Sequence, residues 1–245
     1  MIEWIAFDAD DTLWENEKYY YQGQKQLTEI LAPYQTVEMV EAELLRTETN
    51  NLPWFGYRRS ISDGIKSFGL SMIETAIRLS AGAVGSAEIN TILDHIRNML
   101  KKPAELLPGV LDTLETLRHD YRLMVITKGD LLDQERKLAK SGLEDYFEAY
   151  EVVSDKLSEI DLRHETYARI LNRHAFQPNE FVMVGNSLRS DILPVISLGG
   201  YGVYVPHKFT WAQEQVSDTS SHADGYIQIE SIKDLPLVLE KIKHL

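Results

Sequence analysis

Cysteine is missing from all 245 residues of the chain. Its absence excludes disulfides, thiolate metal sites and cysteine nucleophiles. Basic residues are scarce as well: 25 Lys and Arg stand against 38 Asp and Glu, for a net charge of −13. A surface of that sign repels a nucleic-acid backbone or an anionic membrane, so neither is expected as a partner. A small anion can bind only where a metal ion, a lysine or backbone N–H groups reverse the sign locally. No apolar run reaches the ~18 residues of a membrane span. The opening MIEWIAFDADD lacks the basic and then apolar pattern of a secretory signal, which makes the cytoplasm the expected location. Neither a low-complexity tract nor a repeated period occurs, and G-x-x-x-x-G-K-[ST] and H-E-x-x-H are absent.

What is present alternates. Short runs rich in Val, Ile, Tyr and Phe at 2–7, 122–127, 181–185 and 201–205, with weaker ones at 149–154 and in YIQI before a final helix, read as strands. Helical patterns separate them: VLDTLETLRHDY after Pro108-Gly109, LLDQERKLAKSG ending at Gly142, and LRHETYARILNRHA. Such alternation predicts a parallel sheet covered by helices, a Rossmann-like α/β core. Residues 15–103 break the rhythm and read as helices alone, with starts near Thr36, Ser71 and Ser86 and turns at NLPWFG and AGAVG. The expected organisation is a core of 1–14 and 104–245 with an all-helical cap domain, 15–103, inserted between the first two strands. The polar stretch 207–225 reads as a surface loop.

The first strand runs into FDADDTL, three aspartates in four positions. In extended backbone Asp8 and Asp10 share one side and Asp11 faces the other. Neighbouring carboxylates are costly unless a cation or a shared proton relieves them, which points to Mg²⁺ or to a pair divided between nucleophile and acid. A calcium loop starting at Asp8 fails, because Thr12, Leu13 and Tyr19 stand where Asp or Asn, Gly and Glu are required. Other polar groups follow the later strands, where α/β sheets place their sites: Thr127, Lys128 and Gly129 after the second, Lys156 after AYEVVSD, and GNSLRSD, with Asn186, Ser187 and Asp191, after FVMV.

These four stretches, in this order and with a helical insert in the first gap, resemble the haloacid dehalogenase superfamily over the core segments. The resemblance implies that Asp8 is a nucleophile that takes up a phosphoryl group, and that Asp10 acts as acid and then as base. It assigns the phosphoryl oxygens to Thr127 and Lys156, with Lys128 a rival. It assigns Mg²⁺ to Asp8, the backbone carbonyl of Asp10, and Asp191. Relatives that cleave carbon–halogen bonds lack an acid at the position of Asp10, so the implied reaction is Mg²⁺-dependent hydrolysis of a small phosphorylated metabolite. Asn186 departs from the family's usual Asp; an amide oxygen still ligates Mg²⁺ but brings no charge. By the same resemblance the cap selects the substrate, and Trp54, Tyr57, Arg58 and Arg59 in NLPWFGYRRS are candidate contacts to the leaving group. A phosphomutase-like transferase using the same aspartate, and a binding protein that kept the fold without turnover, are the alternatives.

Overall fold

Strands apolar on both faces need cover on both sides, and the computed structural model provides it; it describes residues 1–51, 64–153, 160–208 and 226–242. Six strands, β1 Trp4–Phe7, β2 Arg122–Lys128, β3 Ala149–Val153, β4 Phe181–Gly185, β5 Tyr201–Tyr204 and β6 Tyr226–Gln228, form one sheet in the order β3-β2-β1-β4-β5-β6. Every pairing is parallel. This is the Rossmann-like order, in which the chain starts mid-sheet, runs to one edge and returns to build the other half. The reversal falls between β1 and β4, and ligands bind beyond the strand ends at such a switch point.

Alternate strand residues feed two apolar layers. Ile5, Phe7, Val125, Val182 and Val184 pack on one face with Leu114 of α5 (Val110–Leu117), Leu138 of α6 (Leu131–Ser141) and Leu239 of α9 (Leu235–Ile242). Trp4, Ala6, Met124, Ile126 and Met183 pack on the other with Tyr167 and Ile170 of α7 (Ile160–His174) and Val195 of α8 (Leu193–Ser197). Helix α6 is bounded as its sequence dictates. Asp130 accepts the Asp133 amide at 3.0 Å to open it, and Gly142, at φ 74°, closes it. The π-type turn Leu188–Ile192 that leads into α8 is not anticipated by the sequence pattern, because it is shorter than any period that would reveal it.

Compactness divides the chain into one unit of Met1–Glu17 with Ala104–Leu245 and a second of Lys18–Pro103. The second consists, among its described residues, of helices: α1 Glu17–Leu31, which begins at the boundary, α2 Val37–Asn51, α3 Gly64–Leu79 and α4 Ser86–Lys101. It has an apolar core of its own around Leu27, Leu31, Val40, Leu44, Phe68, Met72 and Ile92. Burying each such side chain is worth about 1.5–3 kcal/mol. One expected start is corrected. Ser71 lies in the middle of α3, buried, where its hydroxyl accepts the Asn51 side-chain amide at 3.1 Å; its polarity serves a helix–helix contact and not a helix end.

Candidate active site

The geometry of the acidic turn follows from where β1 stops. The Asp8 amide donates to the Val184 carbonyl at 2.8 Å, the last tie to β4, and the chain then folds back. The Ala9 carbonyl collects the amides of Thr12, Leu13 and Trp14 at 3.3, 2.8 and 3.3 Å, and Asp11 takes a left-handed φ of 60°. The strand alternation expected through Asp10 and Asp11 therefore ends near Asp8. Each of the three aspartates has its own set of partners.

Asp8 is 7% exposed, and the Thr12 hydroxyl lies 3.3 Å from its Oδ2 and 3.4 Å from the Asn186 side-chain oxygen. A hydroxyl has one proton to donate, so it reaches one of the two at a time and holds both oxygens close. Behind Asn186, the Ser187 amide donates to Asp191 Oδ2 at 3.0 Å, while the Ser187 hydroxyl accepts the Ser190 amide at 3.1 Å. Asp191, 1% exposed, is thus fixed under the end of β4. Gly185 makes room for it, since a Cβ there would sit 2.7 Å from the Asp191 Cβ and closer still to the carboxylate.

Asp10 has three donors. Trp14 Nε1 lies 2.7 Å from Oδ1, Gln134 Nε2 2.8 Å from Oδ2, and Lys137 Nζ 3.0 Å from both. Gln134 and Lys137 stand on α6 at i, i+3, the spacing that puts two side chains on one helix face. They are absent from the sequence-derived candidates. The signal that marks them is Asp133 and Gln134, both buried on a helix face that an amphipathic pattern reserves for apolar residues. Tyr150 on β3 carries a buried hydroxyl whose ionisation is pushed strongly upward, first by burial and then by the charge of Asp10.

Asp11 belongs to a separate cluster. Its carboxylate accepts the Asn16 amide at 2.8 Å and the Glu17 amide at 3.0 Å, and His207 Nδ1 lies 3.5 Å away. Burial pushes this carboxyl up to about 8 against the pull of the two amides, with the charge of Asp10 adding to the rise. Glu15 pairs with His207 and Lys208, each at 3.6 Å. The ligand atoms of Asp11, Glu15 and His207 fall within 4.8 Å of one another, and the Asn16 and Glu17 amides and the Lys208 ammonium already lie against the two carboxyl groups.

Thr127 is buried near the end of β2, where it pairs with Val152 of β3, and its hydroxyl is 3.5 Å from the Lys128 carbonyl oxygen. The structure thus brings Asp8, Asn186 and Asp191 together at the ends of β1 and β4, with Asp10 and Thr127 toward β2. Lys156, Trp54, Tyr57, Arg58 and Arg59 lie outside the described residues. The donor set Asp8, Asn186 and Asp191 offers hard oxygens from two carboxylates and an amide, which suits Mg²⁺. The Asp10 carboxylate is taken by its three donors, so any metal contact from that residue falls to its backbone carbonyl.

Fold and site define the class: a Rossmann-like α/β protein that gathers carboxylates, an amide and a hydroxyl around its topological switch point. A family model described as haloacid dehalogenase-like hydrolase matches residues 2–199, and the chain belongs to that family of enzymes. A haloacid dehalogenase-like family hydrolase of Xanthomonas campestris shares 34% identity and superposes with a TM-score of 0.82, over 99% of this chain and 92% of that one. The glyceraldehyde 3-phosphate phosphatase of Pyrococcus abyssi is 26% identical over 250 residues, 98% of this chain and 94% of its own. Human N-acylneuraminate-9-phosphatase is 23% identical over 97% of this chain and 94% of its own.

Proposed function

We propose that the protein is a Mg²⁺-dependent phosphatase of a small phosphomonoester, with Asp8 as nucleophile. The observation that carries this reading is Asp10: a second carboxylate, two residues beyond the first and held by its own donors, supplies the acid that cleavage of a phosphate ester needs and cleavage of a carbon–halogen bond does not. Full-length similarity to two proteins named as phosphatases supports it.

In this reading an Asp8 carboxylate oxygen attacks phosphorus, the bond to the leaving oxygen breaks, and Asp10 gives that oxygen a proton. Water then attacks the phospho-aspartate and passes a proton to Asp10, ionised by the first step, releasing phosphate and restoring the Asp8 carboxylate and the Asp10 acid. Thr127 and Lys156 hold the phosphoryl oxygens, which carry the charge in the transition state, and Lys128 borders them. Asp8, Asn186, Asp191 and the Asp10 carbonyl would hold Mg²⁺, whose positive charge offsets the repulsion between Asp8 and an incoming phosphate. The Thr12 hydroxyl keeps Asp8 aimed. Residues 15–103 serve as the cap that selects the substrate, with Trp54, Tyr57, Arg58 and Arg59 as the candidate contacts to the leaving group.

Phosphate release from an aryl phosphate, with Mg²⁺ and with chelator, tests this against Asp8→Asn. Metal-dependent release that is lost in the variant is the expected result. Halide release from a 2-haloacid with no phosphate release would overturn it, as would transfer of the phosphoryl group to an added alcohol in preference to water.

A further inference from the structure

We propose that Gln134 and Lys137 are positioning residues that aim the Asp10 carboxylate at the leaving oxygen; this rests on Asp10 being the acid of phosphoester cleavage. A carboxylate on a short side chain turns between rotamers unless its oxygens are held, and a misplacement of about 1 Å costs on the order of 100-fold in rate. Here each oxygen of Asp10 has two donors, and three of the four contacts come from α6; this is the ionised form that remains after the proton is given, and the acid carries its proton in place of one of these contacts.

The donors are themselves constrained. Lys137 Nζ also donates to Asn16 Oδ1 at 2.8 Å and pairs with Asp133 Oδ2 at 3.6 Å, so acceptors surround the ammonium. Gln134 Nε2 divides its two protons between Asp10 Oδ2 and the Lys128 carbonyl oxygen, both at 2.8 Å. That second bond ties the last residue of β2, next to Thr127, to the acid. Gly129 makes it possible: at φ 142°, a Cβ on this residue would lie 2.8 Å from Gln134 Nε2. One helix face thereby sets the acid and the strand end beside the phosphoryl-binding hydroxyl in a common frame.

A positioning role differs from a merely structural one in its dependence on the leaving group. A poor leaving group needs the proton from Asp10; a good one departs with little help. The test is kcat/KM, which reports the first phosphoryl transfer, for phenyl phosphate and for 4-nitrophenyl phosphate with Mg²⁺. For Lys137→Met we expect a loss of about 100-fold on phenyl phosphate and no more than about 5-fold on the nitrophenyl ester. Asp10→Asn should show the same split, and the double variant should be no worse than Asp10→Asn alone. Lys137→Met removes a cation from two carboxylates, so Gln134→Leu, which changes no charge, is the second test and should show the split at about 10-fold.

Equal losses on both esters in both variants would overturn the proposal while leaving Asp10 as the acid, provided Asp10→Asn keeps its split. An Asp10→Asn variant without the split, or a wild-type chain that releases no phosphate, would overturn the reading of Asp10 itself and this inference with it.

Discussion

The ammonium of Lys137 lies 3.0 Å from each oxygen of the Asp10 carboxylate, across 127 residues of sequence. With Trp14 and Gln134 it holds Asp10, whereas Thr12 lies against Asp8, two residues earlier. Two carboxylates in one turn thus acquire two environments, which is the arrangement by which enzymes divide labour between chemically identical groups.

Asp8→Asn should lower kcat for aryl phosphate hydrolysis by about 10³-fold or more, because an amide oxygen cannot form the phosphorylated intermediate. The Asn side chain still accepts from Thr12, so the thermal midpoint should stay at or above that of the wild type. Calorimetry beside the assay separates lost chemistry from lost folding.

Asn186→Asp should make the chain more dependent on Mg²⁺. The substitution adds a third carboxylate near Asp8 and Asp191, where buried like charges repel. In chelator its melting temperature should fall below that of the wild type, and the rise on adding Mg²⁺ should be larger than in the wild type, since stabilisation grows with affinity as RT ln(1 + [L]/Kd). Thermal melts across a Mg²⁺ titration check both arms; an unchanged Mg²⁺ response would remove Asn186 from the metal set.

Gly185→Ala should destabilise the chain by about 1–3 kcal/mol, the usual cost of overpacking. The added methyl would press against the Asp191 side chain, which the Ser187 amide holds in place. Urea denaturation gives the stability, and the Mg²⁺ response of the melt should weaken alongside it.

The Asp11 carboxyl, pushed up to about 8 from an ordinary 3.8, gives stability a pH slope. Between those values the folded chain holds a proton that the unfolded chain has released, so stability falls as pH rises through the window and levels off above it. Asp11→Asn keeps an acceptor for the Asn16 and Glu17 amides, tolerates the left-handed backbone, and cannot ionise. Its denaturation midpoint should fall less than that of the wild type between about pH 5 and pH 8.5. Equal slopes would show that Asp11 is already ionised at the lower pH.

Much of the fold is legible locally. The runs around Ile5, Val125, Val184 and Val203 are apolar on both faces, and nothing but a covered parallel sheet accommodates them in alternation with helices. Gly142 and Asp130 mark the ends of α6 by rules that involve only a few neighbouring residues. Ser71 misleads for the same reason: a serine before a helical run is a start signal only if no tertiary contact claims its hydroxyl, and Asn51 claims it.

The site divides along the same line. Asp8, Asp10, Thr127 and Asp191 stand out because each follows an apolar strand within a few residues, a relation the chain carries by itself. Only the tertiary structure decided what each of them touches: that β1 lies between β2 and β4, that Thr12 bridges Asp8 and Asn186, that Asp11 turns toward His207, and that Gln134 and Lys137 grip Asp10. Local backbone preference acts over a few bonds, whereas Gln134 and Lys137 lie 124 and 127 positions from Asp10, and Asn186 lies 174 from Thr12. Spacing along the chain carries no record of them, because packing of the two apolar layers on the sheet is what brings them within reach.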